Sequence, residues 1–195
     1  MPPAANRFFA DYEPSISGRS TWLRLPGLVI KRARPRDTDA VARILWERSG
    51  GNLEEYAQRF LERVSGPGSR LRLDLIAVLD AEVVGHAEAA SFAPPAGAPA
   101  NAAPAGWYLS GVNVPEPFRR RGIATALTRR RLSWIAERAS EAYYFANAAN
   151  RASIDLHAAL GFLEVTRDFW FPGVTFRGGV GILFRLEFGR SARSR

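Results

Sequence analysis

Short stretches of alternating apolar and polar residues, and short apolar runs bounded by Gly, Pro or Asp, recur along the chain and predict β-strands. Asp80 and Ala81 separate two of these stretches and predict a tight turn, whereas Pro115 and Pro117 stop the strand that precedes them. The predicted strands are residues 28–34, 71–79, 82–92, 107–114, 142–146, 162–171 and 181–188.

Apolar residues recur at helical spacing in the segments between these strands, which predicts amphipathic helices. Asp37 or Thr38 is suited to cap the first helix and Asn150 to cap the last, which ends before Gly161, a residue that tolerates the left-handed conformation. The second helix places five apolar residues on one face, namely Leu53, Tyr56, Ala57, Phe60 and Leu61. The predicted helices are residues 37–49, 53–64, 122–139 and 150–160.

The order of these elements is β-α-α-β-β-β-α-β-α-β-β, which predicts one mixed α/β domain built around a single sheet. We expect this domain to span residues 28–188. Residues 1–27 carry Pro and Gly without a sustained period, and we interpret them as an N-terminal extension or arm. Residues 93–106 are rich in Pro and Ala and predict a surface loop, and residues 189–195 form a basic tail.

The composition limits the classes of protein to which the chain can belong. With 195 residues, of which 47% are hydrophobic and 24% charged, it fits one ordinary globular domain rather than a disordered or fibrous chain. No apolar run approaches the roughly 20 residues that span a bilayer, and the first residues lack the pattern of a signal peptide. We therefore expect a cytoplasmic protein with no membrane partner. The absence of Cys excludes disulfides, thiolate metal sites and a cysteine nucleophile.

The charge of the chain is strongly positive. The formal net charge is +8, and all but one of the 27 Lys and Arg residues are arginine, Lys31 being the exception. Arginine binds phosphate and carboxylate groups through paired hydrogen bonds, so nucleic acid, a membrane surface and a phosphorylated cofactor are all candidate partners. Neither a zinc-finger spacing nor the aromatic signature of an RNA-recognition domain accompanies the charge, which disfavours nucleic acid. Two Arg triplets, at 119–121 and 129–131, flank one segment of the chain.

Residues 112–127 combine a strand end, a loop with Arg and Gly, and a helix start. Helix N-termini present unpaired N–H groups and a partial positive charge, and Gly122 and Ala124 have no bulky side chain to keep a phosphate oxygen away. The arginines at 119–121 would add charge-assisted contacts. The GxxxxGK(S/T) and GxGxxG motifs are absent, so the segment predicts another kind of cradle for a di- or polyphosphate, or a basic helix start that binds nothing.

Two motifs in this half of the chain resemble those of a known family. Arg119-x-x-Gly122-x-Ala124, which follows an apolar strand, resembles motif A of the GNAT superfamily of N-acetyltransferases. Residues 150–162, Asn-Arg-Ala-Ser-Ile-Asp-Leu-His-Ala-Ala-Leu-Gly-Phe, resemble the Asn…Ala/Ser…Tyr…Leu-Gly-Phe motif of the same family. The element order from residue 28 to residue 188 also agrees with it.

The resemblance implies a single GNAT domain, with a mixed, mostly antiparallel sheet of about six to seven strands flanked by about four helices. It implies acetyl-CoA as co-substrate and no metal. The sheet would splay at the strand pair that holds acyl-CoA, with a bulge at 112–114, and this strand would pair with the pantetheine arm. Loop amides of residues 120–125 would hold the pyrophosphate. Asn150 would bond the arm or only cap its helix, and Arg119 would contact the cofactor or face solvent and pack on the helix. The implied cofactor contacts are Val112, Asn113, Val114, Arg119, Arg120, Arg121, Gly122, Ile123, Ala124, Thr125 and Asn150.

His157 stands where members of this family commonly have a Tyr that protonates the departing CoA thiolate. An imidazole could donate that proton instead, because its pKa lies near neutral. The alternatives are a half-exposed helix histidine, and a thiolate that leaves without any protein acid. The acceptor amine must in turn lose a proton. His86 and Glu88 share one strand face by the period of two, and Glu88 is the candidate base; the alternative is a solvent-facing pair.

By the same resemblance, the first two helices and the last hairpin select the acceptor. Carboxylates of the second helix could receive a cationic amine, and aromatic residues of the hairpin could line a planar acceptor or belong to the strand core. The residues concerned are Gly50, Gly51, Asn52, Glu54, Glu55, Tyr56, Phe169, Trp170, Phe171, Val174, Thr175 and Phe176. A small amine, an aminoglycoside, an amino acid and a protein N-terminus are all compatible with them.

The function implied is transfer of acetyl from acetyl-CoA to a primary amine by direct attack in a ternary complex, in a monomer or homodimer. The acceptor is expected to be a small molecule, for example an amino-sugar antibiotic, and the absence of Cys agrees with direct transfer. One alternative is a catalytically idle acyl-CoA-binding regulatory module, which His157 in place of Tyr favours. The others are a protein N-terminal or lysine acetyltransferase, and a basic nucleic-acid binder whose affinity would fall steeply with salt.

Overall fold

A computed structural model describes residues 25–176 and 179–189, and in this part of the chain a seven-stranded sheet carries helices on both faces. The strands are β1 (Val29–Arg32), β2 (Arg72–Leu79), β3 (Glu82–Phe92), β4 (Gly106–Asn113), β5 (Glu141–Asn147), β6 (Leu163–Thr166) and β7 (Gly181–Glu187). Their order across the sheet is β1-β2-β3-β4-β5-β7-β6. All neighbouring pairs are antiparallel except β4 and β5. The expected mixed, mostly antiparallel α/β fold is therefore confirmed.

Four helices pack on this sheet within the described residues. They are α1 (Thr38–Ser49), α2 (Leu53–Ser65), α3 (Ile123–Ala136) and α4 (Arg151–Ala158). On one face, Val41 of α1 and Phe60 of α2 pack with Ile76 of β2. On the other face, α3 and α4 cover the larger core, in which Leu127 and Tyr144 are buried. The two faces of the sheet thus have separate apolar cores.

β4 and β5 form a parallel pair because α3 carries the chain across the sheet between them. They pair at two positions only, Tyr108 with Tyr143 and Leu109 with Tyr144. Beyond Leu109 the strands diverge, since β4 stays with β3 as far as Asn113 while β5 stays with β7. This V-shaped gap between β4 and β5 is called the fork below, and its apex lies at Leu109 and Tyr144.

A β-bulge lies beside the apex of the fork. The pairing of β3 with β4 skips Gly111, because Glu88 is opposite Ser110 while the residue before Glu88 is opposite Val112. Gly111 has φ +45°, in the left-handed region that favours glycine. The predicted splay is present, but the bulge expected at 112–114 was placed wrongly and lies one residue earlier.

The last predicted hairpin needs the largest correction. A strand over residues 162–171 was expected, whereas β6 covers only Leu163–Thr166. Thr166 Oγ1 accepts a hydrogen bond from the N–H of Asp168 at 3.0 Å and donates to its carbonyl at 3.2 Å. This local turn takes the chain out of the sheet. Trp170, four residues later, forms only an isolated bridge with Ala102.

The helix starts and faces also differ in part from the expectations. The carboxylate of Asp37 accepts a hydrogen bond from the N–H of Arg34 at 2.8 Å, so it closes the preceding turn and does not cap α1. Of the five apolar residues expected on one face of α2 only Phe60 is buried, while Leu53 and Leu61 are 43% and 39% exposed. The reason is that α2 packs mainly on α1 rather than on the sheet.

Residues 1–24, 177–178 and 190–195 lie outside the described part of the chain. Most of the predicted arm and tail falls there, so the domain boundaries stay predictions. No helix among residues 25–176 and 179–189 is long and apolar enough to cross a bilayer. The same residues bring no group of three or more His, Asp or Glu side chains together in the way a metal site requires.

Candidate functional site

The loop between β4 and α3 ends at a helix N-terminus without a capping side chain. Gly122 is the N-cap residue of α3, with φ +79°, and Arg120 also has a positive φ, +62°. Left-handed residues beside a helix start favour a concave arrangement of N–H groups, which is how backbone nests bind anions. Within the described part of the chain, a Cβ built on Gly122 would meet no atom within 4 Å, so none of these residues fills the space there. This geometry supports the anion cradle expected over residues 120–125.

The arginines of this loop have different environments. Arg119 Nε donates to the carbonyl of Val114 at 3.1 Å, so this side chain holds the loop to the end of the strand. The Arg121 guanidinium lies over the ring of Phe118, 5.9 Å from its centroid. Among the other expected pyrophosphate contacts, Ile123 and Thr125 are buried, whereas Arg120, Gly122 and Ala124 are at least partly exposed.

The end of β4, which was expected to pair with the pantetheine arm, is bound by two arginines. Arg48 of α1 donates to the carbonyl of Val112 at 3.2 Å and to Asn113 Oδ1, while Arg119 holds Val114. Burial and the charge of Arg119 lower the pKa of Arg48. Asn113 is buried, and its two neighbours are half-buried. Arg48 was not among the expected site residues, because nothing in the sequence separates it from the other arginines of the helices.

Glu88 lies beside the bulge, on the sheet face that α1 and α2 cover. A Cβ built on Gly111 would lie 3.8 Å from Glu88 Oε1, and Glu88 Oε2 forms an ion pair with Arg63 Nη1 at 3.1 Å. The Glu88 side chain is 28% exposed, so it is partly accessible to solvent. This position near the fork apex is suited to a base, and the role itself stays a prediction.

Arg63 links Glu88 to two further polar residues of the same face. Its Nε donates to Asp74 Oδ1 at 2.9 Å, and His86 Nε2 lies 3.2 Å from the same oxygen. His86 and Glu88 therefore share a face as expected, but the alternative of a solvent-facing pair is wrong, since His86 is buried. Burial raises the pKa of Asp74, but the hydrogen bond with His86 and the charge of Arg63 outweigh it, so the pKa is lowered.

The opposite side of the fork apex holds a buried arginine, Arg131 of α3. Its Nη1 donates to the carbonyls of Glu88 and Ser110 at 2.8 and 3.2 Å, and its Nη2 donates to Thr128 Oγ1 at 2.8 Å. Burial lowers the pKa of Arg131 to about 9, although the charge of Glu88 raises it. The side chain is therefore a cation at neutral pH. Sequence alone places Arg131 in a basic triplet and does not show that it turns inward.

His157 is buried against the core on the α3 side of the sheet. Its ring stacks on Tyr144, with 3.7 Å between centroids, and its Nδ1 lies 2.8 Å from the carbonyl oxygen of Ser153. A carbonyl only accepts, so Nδ1 carries the proton of the neutral ring and Nε2 is an acceptor. Burial lowers the pKa of His157 to about 3, which favours this neutral form. The half-exposed alternative is wrong; the acid role stays a prediction that these contacts disfavour.

Asn150 performs the capping role expected of it. Its Oδ1 accepts a hydrogen bond from the N–H of Ser153 at 3.2 Å, at the start of α4. The cap uses only the side-chain oxygen, so it does not test the expected bond between Asn150 and the pantetheine arm. That bond stays a prediction.

Aromatic rings lie beside the fork on the same sheet face as Glu88. Phe145, the first β5 residue past the apex, contacts Phe169, Phe171 and Phe176, with 4.9 to 6.1 Å between ring centroids. All four rings are half-buried, so part of each is open to a ligand. They form the aromatic wall of the fork.

The acidic residues expected to receive an amine are not brought to this wall by the described contacts. The N–H groups of Glu54 and Glu55 are bound by the side chain of Asn52, which caps α2. The carboxylate of Glu55 pairs with Arg59 at 3.1 Å on the exposed surface of the helix. The Glu55 carboxylate therefore lies on the solvent side of α2, and the amine-binding role of the two residues stays a prediction.

Comparison with known proteins agrees with this architecture. The sequence model of the acetyltransferase (GNAT) family matches residues 38–162. No curated protein matches the chain by sequence. One similar solved structure is ribosomal-protein-alanine N-acetyltransferase from Brucella melitensis, at TM-score 0.61 and 23% identity over 82% of this chain and 99% of that one. Another is aminoglycoside 6′-N-acetyltransferase from Acinetobacter baumannii, at TM-score 0.61 and 22% identity over 76% of this chain and 99% of that one. The structure of YncA from Salmonella typhimurium, with its cofactor acetyl-CoA, matches at TM-score 0.61 and 17% identity over 85% of this chain and 96% of that one.

Proposed function

The chain belongs to the acetyltransferase (GNAT) family, and we propose that it transfers the acetyl group of acetyl-CoA to a primary amine by direct attack in a ternary complex. The observation that carries the proposal is the fork, because its apex lies beside the carboxylate of Glu88 and its β4 side leads to the uncapped start of α3. One element pair thus presents an anion cradle, a strand that separates from its neighbour and a base.

The residues present fit acetyl-CoA. The amides at the start of α3 and the arginines at 119–121 would hold the pyrophosphate, because the helix has no capping side chain and the space at Gly122 is open. The edge of β4 that turns away from β5 would pair with the amide groups of the pantetheine arm. When bound, acetyl-CoA supplies an activated acetyl group as a thioester.

Glu88 would take the proton that the acceptor amine must lose before it attacks. Arg63 holds the carboxylate at 3.1 Å and fixes its position beside the bulge. The lone pair of the amine then forms the C–N bond while the C–S bond breaks and its electron pair stays on sulfur. Glu88 is partly exposed, so this first proton can pass to water, and the carboxylate would then take the second proton that the nitrogen loses as the amide forms.

For the acceptor we propose a small molecule with a primary amine, such as an amino sugar. The aromatic wall of the fork supports this, since half-buried rings on the same sheet face as Glu88 offer a planar, apolar surface. The aminoglycoside enzyme of Acinetobacter baumannii shares the fold. The Brucella melitensis structure is named for a protein acceptor, which makes a protein N-terminus the second candidate.

A different function, an idle acyl-CoA-binding module, is favoured by one observation. His157 occupies the position of the family's acid, and its neutral ring offers an acceptor rather than a donor at Nε2. Such a module would bind acetyl-CoA without turning it over, and would regulate a partner instead.

Thiol release from acetyl-CoA, assayed with a panel of acceptors, separates these functions. The panel contains aminoglycosides, polyamines, amino acids and a peptide with an N-terminal alanine. Release with an amino compound, lost in Glu88→Gln, supports the small-molecule enzyme, while release with the peptide alone supports the protein acceptor. Calorimetric binding of acetyl-CoA without any release supports the module. An absence of acetyl-CoA binding contradicts all three.

A further inference from the structure

Arg131 is a buried cation to which the proposed function assigns no role. The residue is 1% exposed, and among the described residues its guanidinium donates to uncharged acceptors alone, the carbonyls of Glu88 and Ser110 and the hydroxyl of Thr128. No carboxylate within residues 25–176 and 179–189 forms an ion pair with it. Burying a cation without a counter-ion is costly, which points to a use for the charge itself.

The position of Arg131 coincides with the apex of the fork. Ser110 is the first β4 residue past the apex, and Glu88 is its partner on β3, so the guanidinium binds both strands at the bulge. The charge of Arg131 also contributes to the lowered pKa of His157, after burial, so the two side chains are within electrostatic reach of each other. Tyr144, the β5 residue of the apex, stacks on His157. Arg131 therefore lies next to the apex, on the face of the sheet that α3 covers.

Buried polar atoms without a partner gather at this point. Among the described residues, Arg131 Nε, Tyr144 Oη and His157 Nε2 are buried and make no hydrogen bond. Buried polar atoms are ordinarily paired, so three of them on residues at and beside the apex indicate that a polar ligand atom is accommodated near it. Two of these groups can donate, Arg131 and Tyr144, and Arg131 alone carries a charge.

We propose that Arg131 stabilises the thiolate that acetyl transfer releases at the fork apex, through its positive charge and its unpartnered Nε–H. This inference rests on the proposed function, which puts the thioester at the apex. As the C–N bond forms and the C–S bond breaks, the electron pair stays on sulfur and the amine proton goes to Glu88. CoA leaves as this thiolate, which then takes a proton from water. A fixed positive charge aimed at developing negative charge lowers the barrier in a dry site.

The proposal also accounts for His157 at a position where the family's Tyr is expected. If Arg131 stabilises the thiolate, no protein acid is needed at the moment when the C–S bond breaks. A neutral, stacked histidine is then compatible with turnover, and the acceptor character of its Nε2 does not matter for the leaving group.

The test compares binding of CoA with binding of desulfo-CoA, which lacks only the thiol, by calorimetry on the full chain. A thiol has an ordinary pKa of about 8.5, so a site that lowers the thiol pKa by about two units strengthens CoA relative to desulfo-CoA by about tenfold or more as the pH rises from about 6 to 8. Arg131 keeps its charge in this range, because its own pKa is about 9. We expect this rise in the wild type and not in Arg131→Met. Arg130→Met removes the same charge from the exposed side of α3 and should behave like the wild type.

Other titratable groups do not produce the same signal. Those that face Arg131 are Glu88 on β3, Tyr144 on β5 and His157 on α4. Burial raises the pKa of Tyr144 and lowers that of His157, so both are neutral throughout this range. Glu88 is shared by the wild type and every variant, and desulfo-CoA reports any effect that it has without the thiol.

Acetyl transfer provides a second measurement. Arg131→Met should lower kcat at least tenfold while the KM for acetyl-CoA changes little, because the interaction strengthens only as charge develops on sulfur. A flat CoA to desulfo-CoA ratio in the wild type would overturn the inference even if Arg131→Met does not fold. The same rise in the wild type and in folded Arg131→Met would also overturn it. Failure of the wild type to bind either ligand would overturn the proposed function, and this inference with it.

Discussion

Asp74 and Glu88 show how two carboxylates on paired strands acquire different properties. They are direct neighbours across β2 and β3, and both form ion pairs with Arg63. The Asp74 side chain is 5% exposed and also contacts His86, whereas that of Glu88 is 28% exposed and lies at the bulge. Exposure therefore separates a carboxylate that stabilises the sheet from one that can exchange a proton with a substrate.

Glu88→Gln should lower kcat/KM on the order of 10²–10⁴-fold, the usual contribution of general base catalysis, and leave acetyl-CoA affinity unchanged. Asp74→Asn is the matched control, because it removes the other carboxylate that Arg63 contacts. It should reduce stability to urea and change kcat per folded molecule little. Steady-state kinetics and urea unfolding of both variants measure this. Equal kinetic losses in the two variants would mean that Glu88 acts only by holding Arg63.

His157→Ala should act mainly on stability. Removing a buried, stacked ring leaves a cavity beside Tyr144 and costs about 2–4 kcal/mol. Its kcat per folded molecule should stay within about threefold of the wild type, well below the usual effect of an acid catalyst. Urea unfolding and kinetics at a temperature where the variant is folded measure both. A loss of a hundredfold or more that His157→Tyr restores would instead establish the acid role.

At the scale of elements, the start of α3 depends on backbone shape as much as on charge. Gly122 combines a left-handed φ with open space, so the helix begins with its first N–H groups uncapped by a side chain. A longer side chain there would both strain the backbone and enter the space that a phosphate would occupy. The effect of a substitution on binding must therefore be separated from its effect on the backbone.

Gly122→Glu should reduce acetyl-CoA affinity at least tenfold, about 1.4 kcal/mol, because a carboxylate would repel the pyrophosphate at the helix start. Gly97→Glu is a closely matched control, since Gly97 is an exposed loop glycine with φ +78° and no atom within 4 Å of a Cβ. It carries the same strain and charge change away from α3 and should bind like the wild type. Calorimetry with both folded variants decides; equal affinities would exclude this loop as the pyrophosphate site.

At the scale of the whole molecule, buried titratable groups make folding depend on pH. Burial lowers the pKa of His157 from 6.5 to about 3, so between these values the unfolded chain binds one proton more than the folded chain. The stability that this group contributes is fully present above about pH 6.5 and is lost as the pH falls towards 3, at up to about 1.4 kcal/mol per unit. The lowered pKa of Asp74 acts in the same direction below about pH 4.

The free energy of unfolding in urea should therefore be about 2 kcal/mol smaller at about pH 5 than at about pH 7.5. His157→Phe keeps a ring for stacking on Tyr144 and removes the titratable group. In that variant the difference between the two pH values should shrink to a small remainder. An unchanged difference would show that His157 is protonated without cost in the folded protein.

The local features of the chain followed from its sequence. The strand 82–92, the turn at Asp80 and Ala81, the cap at Asn150 and the left-handed Gly161 are present as expected. Each depends on residues within one or two turns of each other, so periodicity and turn chemistry are enough to predict it. The two motifs around α3 and α4 also predicted the family, and the match over residues 38–162 confirms it.

The tertiary structure decided which polar groups meet. Arg131 reaches the carbonyl of Glu88 across 43 positions of the chain, and Arg48 reaches that of Val112 across 64. Periodicity shows which residues of one element share a face, but a hydrogen bond to another element depends on how the two pack and on where a bulge frees a carbonyl. In the same way the ring of His157 is neutral because it is buried, and it is stacked because Tyr144 lies beside it, not because of its place in a motif. The sequence thus determined most of the helices and strands and the family, whereas the packing of these elements determined which charged side chains lie around the fork.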